Sequence, residues 1–421
     1  MKTLTRYRLF YFLYFTAFGA YTSFMNLYFK RLGLSGQELG RINALAPLAA
    51  LVVPPLVGTW VDLHGEKRVA IMASLGATLA VFSLYLLPVR QFAPLFAISF
   101  LFALASSPLI PLADSATLDQ VEKAGGDYSR VRVFGSAGFA AGTILAGWVQ
   151  GRITLPWHWE PFLLLYLLAG LTALITVTTW KDRPVARNQS SAGNSERGGE
   201  AAAASASFSP LQRFLLPWRA ILTGQRALLA FLLALFVARI SAVVYYSFFS
   251  LYLDELGIAE GRIGITWAVA IAGEVILMML APVLIRRFGS RNVLLLSIVA
   301  GALRWWLYSR VESPWAIAGA QLLHGLTFAT LWVAAVTYVN ETAPARFRAS
   351  SQALLAAISN GLAPATGVLA AGELYQRLGR VAPLFGYAAW VALFSAVYLA
   401  AYLFLERRSR LAKPVSGRAG M

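Results

Sequence analysis

The chain has 421 residues, of which 58% are hydrophobic and only 13% charged, and its mean hydropathy is +0.63. A chain of this length with so little charge cannot stay dissolved in water, which excludes a soluble globular protein. The net charge of +17 would suit a polyanionic partner, but the basic residues sit between apolar stretches and serve topology; the absence of cysteine removes disulfides, thiolate metal sites and cysteine nucleophiles.

Apolar stretches of about 20 residues recur along the chain, each long enough to cross a hydrocarbon core of about 30 Å. They cover 8–29, 38–61, 68–88, 92–118, 131–151, 159–180, 227–253, 262–285, 291–309, 314–339, 348–376 and 382–405. The pattern predicts an all-α membrane protein of twelve transmembrane helices in two six-helix halves. The expected domains are a bundle at 1–180, a cytoplasmic linker at 181–226, a second bundle at 227–406 and a basic tail at 407–421. Lys2, Arg6 and Arg8 ahead of the first stretch resemble a signal peptide, but the run is too long and lacks a small-residue cleavage site. The first stretch is expected to stay as an uncleaved helix.

With both termini inside, the cytoplasmic segments hold 25 of the Lys and Arg residues against nine outside, which is the bias that orients membrane helices. Residues 184–209 are rich in Ser, Ala, Gly and Asn without hydrophobic period, as in a disordered linker. Leu211, Phe214, Leu215, Trp218, Ile221 and Leu222, interleaved with arginines, read as a short interfacial helix bracing the halves. Gly135, Gly138, Gly142 and Gly147 in the fifth stretch and Gly361, Gly367 and Gly372 in the eleventh are spaced for close helix packing within each half.

The chain also matches itself at an offset of 224 residues. Tyr21, Ser23, Phe24, Leu27, Tyr28, Gly33 and Gly40 recur as Tyr245, Ser247, Phe248, Leu251, Tyr252, Gly257 and Gly264. A long-period duplication in apolar sequence points to a transporter built from two similar halves. The repeat breaks at four informative positions. Phe15, Ala50, Ala80 and Phe100 become Arg239, Glu274, Arg304 and His324.

The loop after the second stretch runs Gly58-Thr-Trp-Val-Asp62-Leu-His-Gly65-Glu66-Lys67-Arg68, and a degenerate copy at Pro282, Gly289 and Arg291 keeps the same offset. This resembles the G-x-x-x-D-x-x-G-[RK]-[RK] signature of the major facilitator superfamily. The resemblance implies a latch in which the carboxylate of Asp62 is held by Lys67 and Arg68 and released when the halves rock. Three further stretches resemble the 3-phenylpropionate-type proton symporters, near the oligosaccharide:proton symporters: Pro108 to Asp114 with Asp127 to Ser136, Tyr245 to Glu274, and Leu303 to Trp305 with Gln321 to Phe328. In lactose permease-like proteins a Glu–Arg–His trio belongs to proton coupling and sugar binding. Those permeases carry a second glutamate one turn after the histidine, where this chain has Thr327. Arg239 also stands where a neutral side chain is expected.

At 1.5 Å rise per residue, Arg239, Glu274, Arg304 and His324 all fall near the bilayer midplane. An unpaired charge there costs at least about 2.5–3.5 kcal/mol, so such groups pair or face a wet cavity. Glu274 is the expected proton acceptor and His324 its relay. Desolvation favours a neutral carboxyl and a nearby arginine the carboxylate, so substrate engaging Arg304 would release Glu274 to take up a proton. Arg304 and Arg239 against Glu274 leave one surplus positive charge, which a substrate carboxylate would complete through the arginine fork. Tyr14, Phe18, Tyr21 and Tyr28 in the first helix, and Tyr245, Phe249, Tyr252 and Trp267 beyond, read either as packing or as walls for a ring; Thr327 joins the expected substrate contacts. Asp114 and Arg132 read as a cytoplasmic gate pair or a helix-end brace.

The expected activity is proton-coupled import of a small, aromatic carboxylate by alternating access in the bacterial inner membrane. The alternative is symport of a neutral oligosaccharide or nucleoside. Efflux is less favoured, because 135–147 lacks the Gly-Pro signature of drug:proton antiporters. No catalytic set or G-x-x-x-x-G-K-[ST] loop is present, so neither an enzyme nor ATP-driven pumping is expected. The expected partners are a small-molecule substrate, protons and the lipid bilayer, with no nucleic acid, cofactor or metal, and the chain is expected to act as a monomer.

Overall fold

A computed structural model describes residues 2–156, 159–180 and 225–411. The expected linker, its interfacial helix and the end of the basic tail lie outside the described residues. Twelve helical spans follow in order: Lys2–Arg31, Gly36–His64, Lys67–Leu86, Phe92–Ala124, Ser129–Gln150, Pro161–Thr178, Arg226–Glu255, Glu260–Phe288, Ser290–Arg310, Pro314–Thr342, Arg348–Leu378 and Ala382–Leu411. Eleven are long and apolar enough to cross a membrane. The first is 30 residues long, about 45 Å at helical rise, and packs between the fifth and sixth. The protein is an all-α, multi-pass membrane protein.

Local chemistry sets the ends of these spans. Ser35 and Glu38 form a reciprocal capping box that starts the second span, and Gly65 closes it in the left-handed conformation at φ 75°. Gly289, its partner at the 224-residue offset, also has positive φ. The duplicated tyrosines do the same work twice: Tyr28 Oη donates to the Tyr85 carbonyl at 3.1 Å, and Tyr252 Oη to the Val311 carbonyl at 2.6 Å.

Three spans depart from the continuous helices expected. The fourth breaks between Ser106 and Leu109, where Pro108 can donate no backbone hydrogen bond, and then runs on to Ala124 rather than ending at 118. The tenth contains a π-helical turn at Leu326–Thr330 and the eleventh another at Ile358–Leu362.

The two halves meet mainly on the side opposite the chain ends. There the second span packs along the eleventh, and the fifth along the eighth. Gly36 N–H donates to Gln376 Oε1 at 2.8 Å, and Gln37 Nε2 to Glu373 Oε2 at 2.5 Å. Gly372 lies so close to Gly36 and Gly40 that a Cβ would strike backbone, and Gly147 meets Glu260 and Gly261 in the same way. Gly361 meets the Leu51 side chain of the first half, so three of the glycines expected to pack within a half, Gly147, Gly361 and Gly372, pack between halves. Arg31 adds ion pairs to Glu160 of its own half at 3.3 Å, and to Asp254 and Glu260 of the other at 3.7 and 2.9 Å. Toward the chain ends the halves diverge, leaving Leu56, Trp60, Met279 and Val283 exposed.

Candidate functional site

The four residues at which the repeat breaks lie around one region of the second half. Arg304, from the ninth span, is fully buried at 0% exposure. A guanidinium out of water costs several kcal/mol unless its donors are satisfied, and here the donors are well supplied. Nε donates to Tyr308 Oη at 3.1 Å, and Nη1 to His324 Nδ1 and Thr327 Oγ1, both at 3.0 Å. Nη2 donates to Gln321 Oε1, which also accepts from Tyr308 Oη at 3.0 Å. Its Cζ stands 4.1 Å over the Tyr245 ring, a cation–π contact strengthened by desolvation. Every hydrogen-bond partner of Arg304 is a neutral group.

That arrangement fixes the histidine. An arginine N–H can only donate, so Nδ1 of His324 accepts and the single ring proton sits on Nε2. Nε2 points at Glu274 Oε2, 3.7 Å away. Glu274, His324 and Arg304 thus form a line from a carboxylate that is still 15% exposed to a cation with no exposure. The carboxyl is the more exposed end of this line, and the imidazole lies between it and the buried guanidinium.

Arg239 stands apart from this cluster. Its Nε donates to the Ser359 carbonyl at 3.0 Å, and its guanidinium lies 5.9 Å from the Tyr246 ring centroid. The Tyr246 ring in turn lies near His324 and Phe328, at 6.2 and 6.5 Å between centroids. Among the described residues Arg239 has no carboxylate partner.

The structure does not give all the expected site residues a ligand-facing role. Tyr21 stacks on Phe102 and packs against Phe82 and Tyr166, inside the first half. Trp267 is buried, donates Nε1 to Ser250 Oγ at 2.9 Å and packs among Tyr245, Phe249 and Phe139. Tyr245 lies under Arg304, and Thr327 accepts from it. The aromatic stripes of the first and seventh helices are mostly core; Phe18 of the first is the exposed member.

The expected pairings at the end that carries the termini also differ. Lys67 pairs with Asp119 at 2.7 Å, and Arg68 donates to the Thr178 carbonyl at 2.6 Å, while Asp62 is exposed. The left-handed turn at Gly65 separates Asp62 from both bases. Asp114 accepts from Tyr11 Oη at 2.5 Å rather than pairing with Arg132, whose guanidinium stacks 4.3 Å over Phe15. Tyr308, Tyr246, Gln321 and Ser359 escaped the sequence reading. Gln321 precedes His324 by one helical turn, a spacing that puts both on one face; Ser359 carried no local signal of its own.

Twelve spans in two repeated halves, with a polar cluster at mid-depth in one of them, define a transporter of the major facilitator type. Residues 4–386 match the MFS_1 like family, and the chain belongs to it. It is 28% identical over 374 residues to the maltose permease of Geobacillus stearothermophilus, covering 89% of this chain and 88% of that one. It is 27% identical over 374 residues to a "Probable 3-phenylpropionic acid transporter" of Escherichia coli, covering 88% and 90%. The crystal structure of the nucleoside transporter NupG superposes with a TM-score of 0.74 at 16% identity, over 95% of this chain and 99% of that one.

Proposed function

We propose that this transporter imports a small aromatic carboxylate together with protons, by alternating access, across a bacterial inner membrane with both termini cytoplasmic. The observation that carries the reading is a charge imbalance. Two arginines, Arg304 and Arg239, accompany a single carboxylate, Glu274, in this region of the second half. A midplane cation excess is costly, and an anionic solute would offset it. The similarity to a phenylpropionic acid transporter supports the same class. The halves touch on the side away from the termini and part toward them, which corresponds to the inward-facing state of the cycle.

Glu274 takes up the coupling proton in this scheme. Its side chain is the most exposed member of the line, and protonation removes its attraction to the His324 Nε2–H. Reconstituted protein tests this directly. Glu274→Gln should abolish accumulation driven by a pH gradient while retaining solute exchange. A glutamine variant that accumulates solute as the parent does refutes the assignment.

A second reading, symport of a neutral sugar or nucleoside, is favoured by one feature. Four of the five Arg304 N–H groups already meet neutral acceptors, while Tyr245 Oη and Gln321 Nε2 beside it are buried without a hydrogen-bond partner. Such groups suit a hydroxyl or water. Binding of a nucleoside or maltose, with no response to any carboxylate, would establish that reading.

A further inference from the structure

Arg239 borders a cavity of about 130 Å³ whose lining includes Leu235, Phe328, Leu331, Trp332, Ser359 and Asn360. The two π-helical turns supply Phe328 on one wall and Ser359 and Asn360 on the other. Such turns are rare and concentrate at functional positions. The turn in the eleventh span has a chemical consequence. Ala363 N–H donates to the Ile358 carbonyl, five residues back. The Ser359 carbonyl would next require residue 364, which is proline and has no N–H. Arg239 Nε fills that vacancy at 3.0 Å and is anchored by it.

The anchored guanidinium turns its Nη groups toward Tyr246, a neutral side chain, and no carboxylate among the described residues neutralises it. Ser359 Oγ, 1% exposed, is likewise buried with no hydrogen-bond partner. A fork-shaped cation, an orphan hydroxyl and the Asn360 amide therefore converge on a cavity otherwise walled by Leu235, Phe328, Leu331 and Trp332.

We infer that this cavity, and not the Arg304 cluster, is the subsite for the carboxylate of the solute. This rests on the carboxylate reading above and locates it. The carboxylate pairs with the Arg239 Nη groups and accepts from Ser359 Oγ, while the attached ring meets Phe328 and Trp332. At about 130 Å³ the cavity is smaller than the roughly 300 Å³ at the low end of whole-ligand pockets, so the subsite holds one end of the solute. Tyr246 lies between Arg239 and His324, which places the anion next to the proton line without contact with Arg304.

The test measures binding to the purified full-length protein by thermal shift, with 3-phenylpropionate and its neutral amide as probes, alongside uptake in proteoliposomes. The wild type should be stabilised by the acid and not by the amide. Arg239→Gln should weaken the acid at least tenfold, and Ser359→Ala severalfold, with unliganded melting temperatures near that of the parent. If the wild type binds the acid and Arg239→Gln binds it equally well, the subsite is refuted and the carboxylate reading stands. If the wild type responds to neither the acid nor other aryl carboxylates, both fall. Should Arg239→Gln fail to fold, Trp332→Ala decides: enlarging the cavity should shift preference toward bulkier aryl carboxylates, and an unchanged ranking overturns the proposal.

Discussion

Arg31 ties the two halves together by ion pairs on the side away from the termini, and its removal gives a calculable shift. It pairs with Asp254 at 3.7 Å and Glu260 at 2.9 Å across the divide, while Glu160 at 3.3 Å holds it from its own half. The groups are 20–45% exposed, so each pair is worth about 0.2–1 kcal/mol and no more. Two cross-half pairs therefore bias this side toward closure by about 0.4–2 kcal/mol, a factor of roughly 2 to 30 in the equilibrium. Arg31→Ala should release that bias. The chain has no cysteine, so spin labels can be placed at Gln91 and Glu312, exposed positions on the same side in opposite halves. Their distance distribution should gain a longer component in the alanine variant. At about 1 M salt, where the Debye length falls to about 3 Å, the wild type should approach the variant. Identical distributions at low salt would mean that the glycine seams alone close this side, and the reasoning about Arg31 would be wrong.

Arg304→Met should be strongly destabilising, because it strands the acceptors on Gln321, His324 and Tyr308 at about 1–3 kcal/mol for each buried orphan. Its melting temperature in detergent should fall well below that of Arg239→Gln, and equal losses would contradict the difference drawn between the two arginines. Gly372→Leu puts a side chain into the backbone of Gly36 and Gly40 and should wedge this side open. A cysteine at the buried Ala44 should then react faster with a membrane-impermeant maleimide; an unchanged rate would show that the helices re-pack instead.

The span count, the boundary near residue 181 and the duplication follow from lengths and periods that the sequence displays directly. Residue identity also marked four positions of the second half, since a polar side chain replacing Ala50, Ala80, Phe15 or Phe100 of the first half is legible without coordinates. Pairing was less legible. Lys67 stands five residues from Asp62 yet reaches Asp119, and Arg304 carries the right charge for an anion yet spends its hydrogen bonds on Tyr308, Gln321, His324 and Thr327. Partner choice depends on which helix faces which, and spacing along one helix cannot report that.

The sequence by itself determined a twelve-span transporter of repeated halves with its Glu, Arg and His break positions in the second, because burial of apolar length and the expense of midplane charge act residue by residue. Tertiary structure decided which arginine is enclosed by neutral hydrogen-bond partners and which has no carboxylate partner among the described residues. The π turn before Pro364 frees a carbonyl only in three dimensions, and Arg239 comes to it from 120 residues away. Hydrogen-bond satisfaction is a property of the packed neighbourhood, so the different environments of Arg304 and Arg239 emerge only when the helices are assembled.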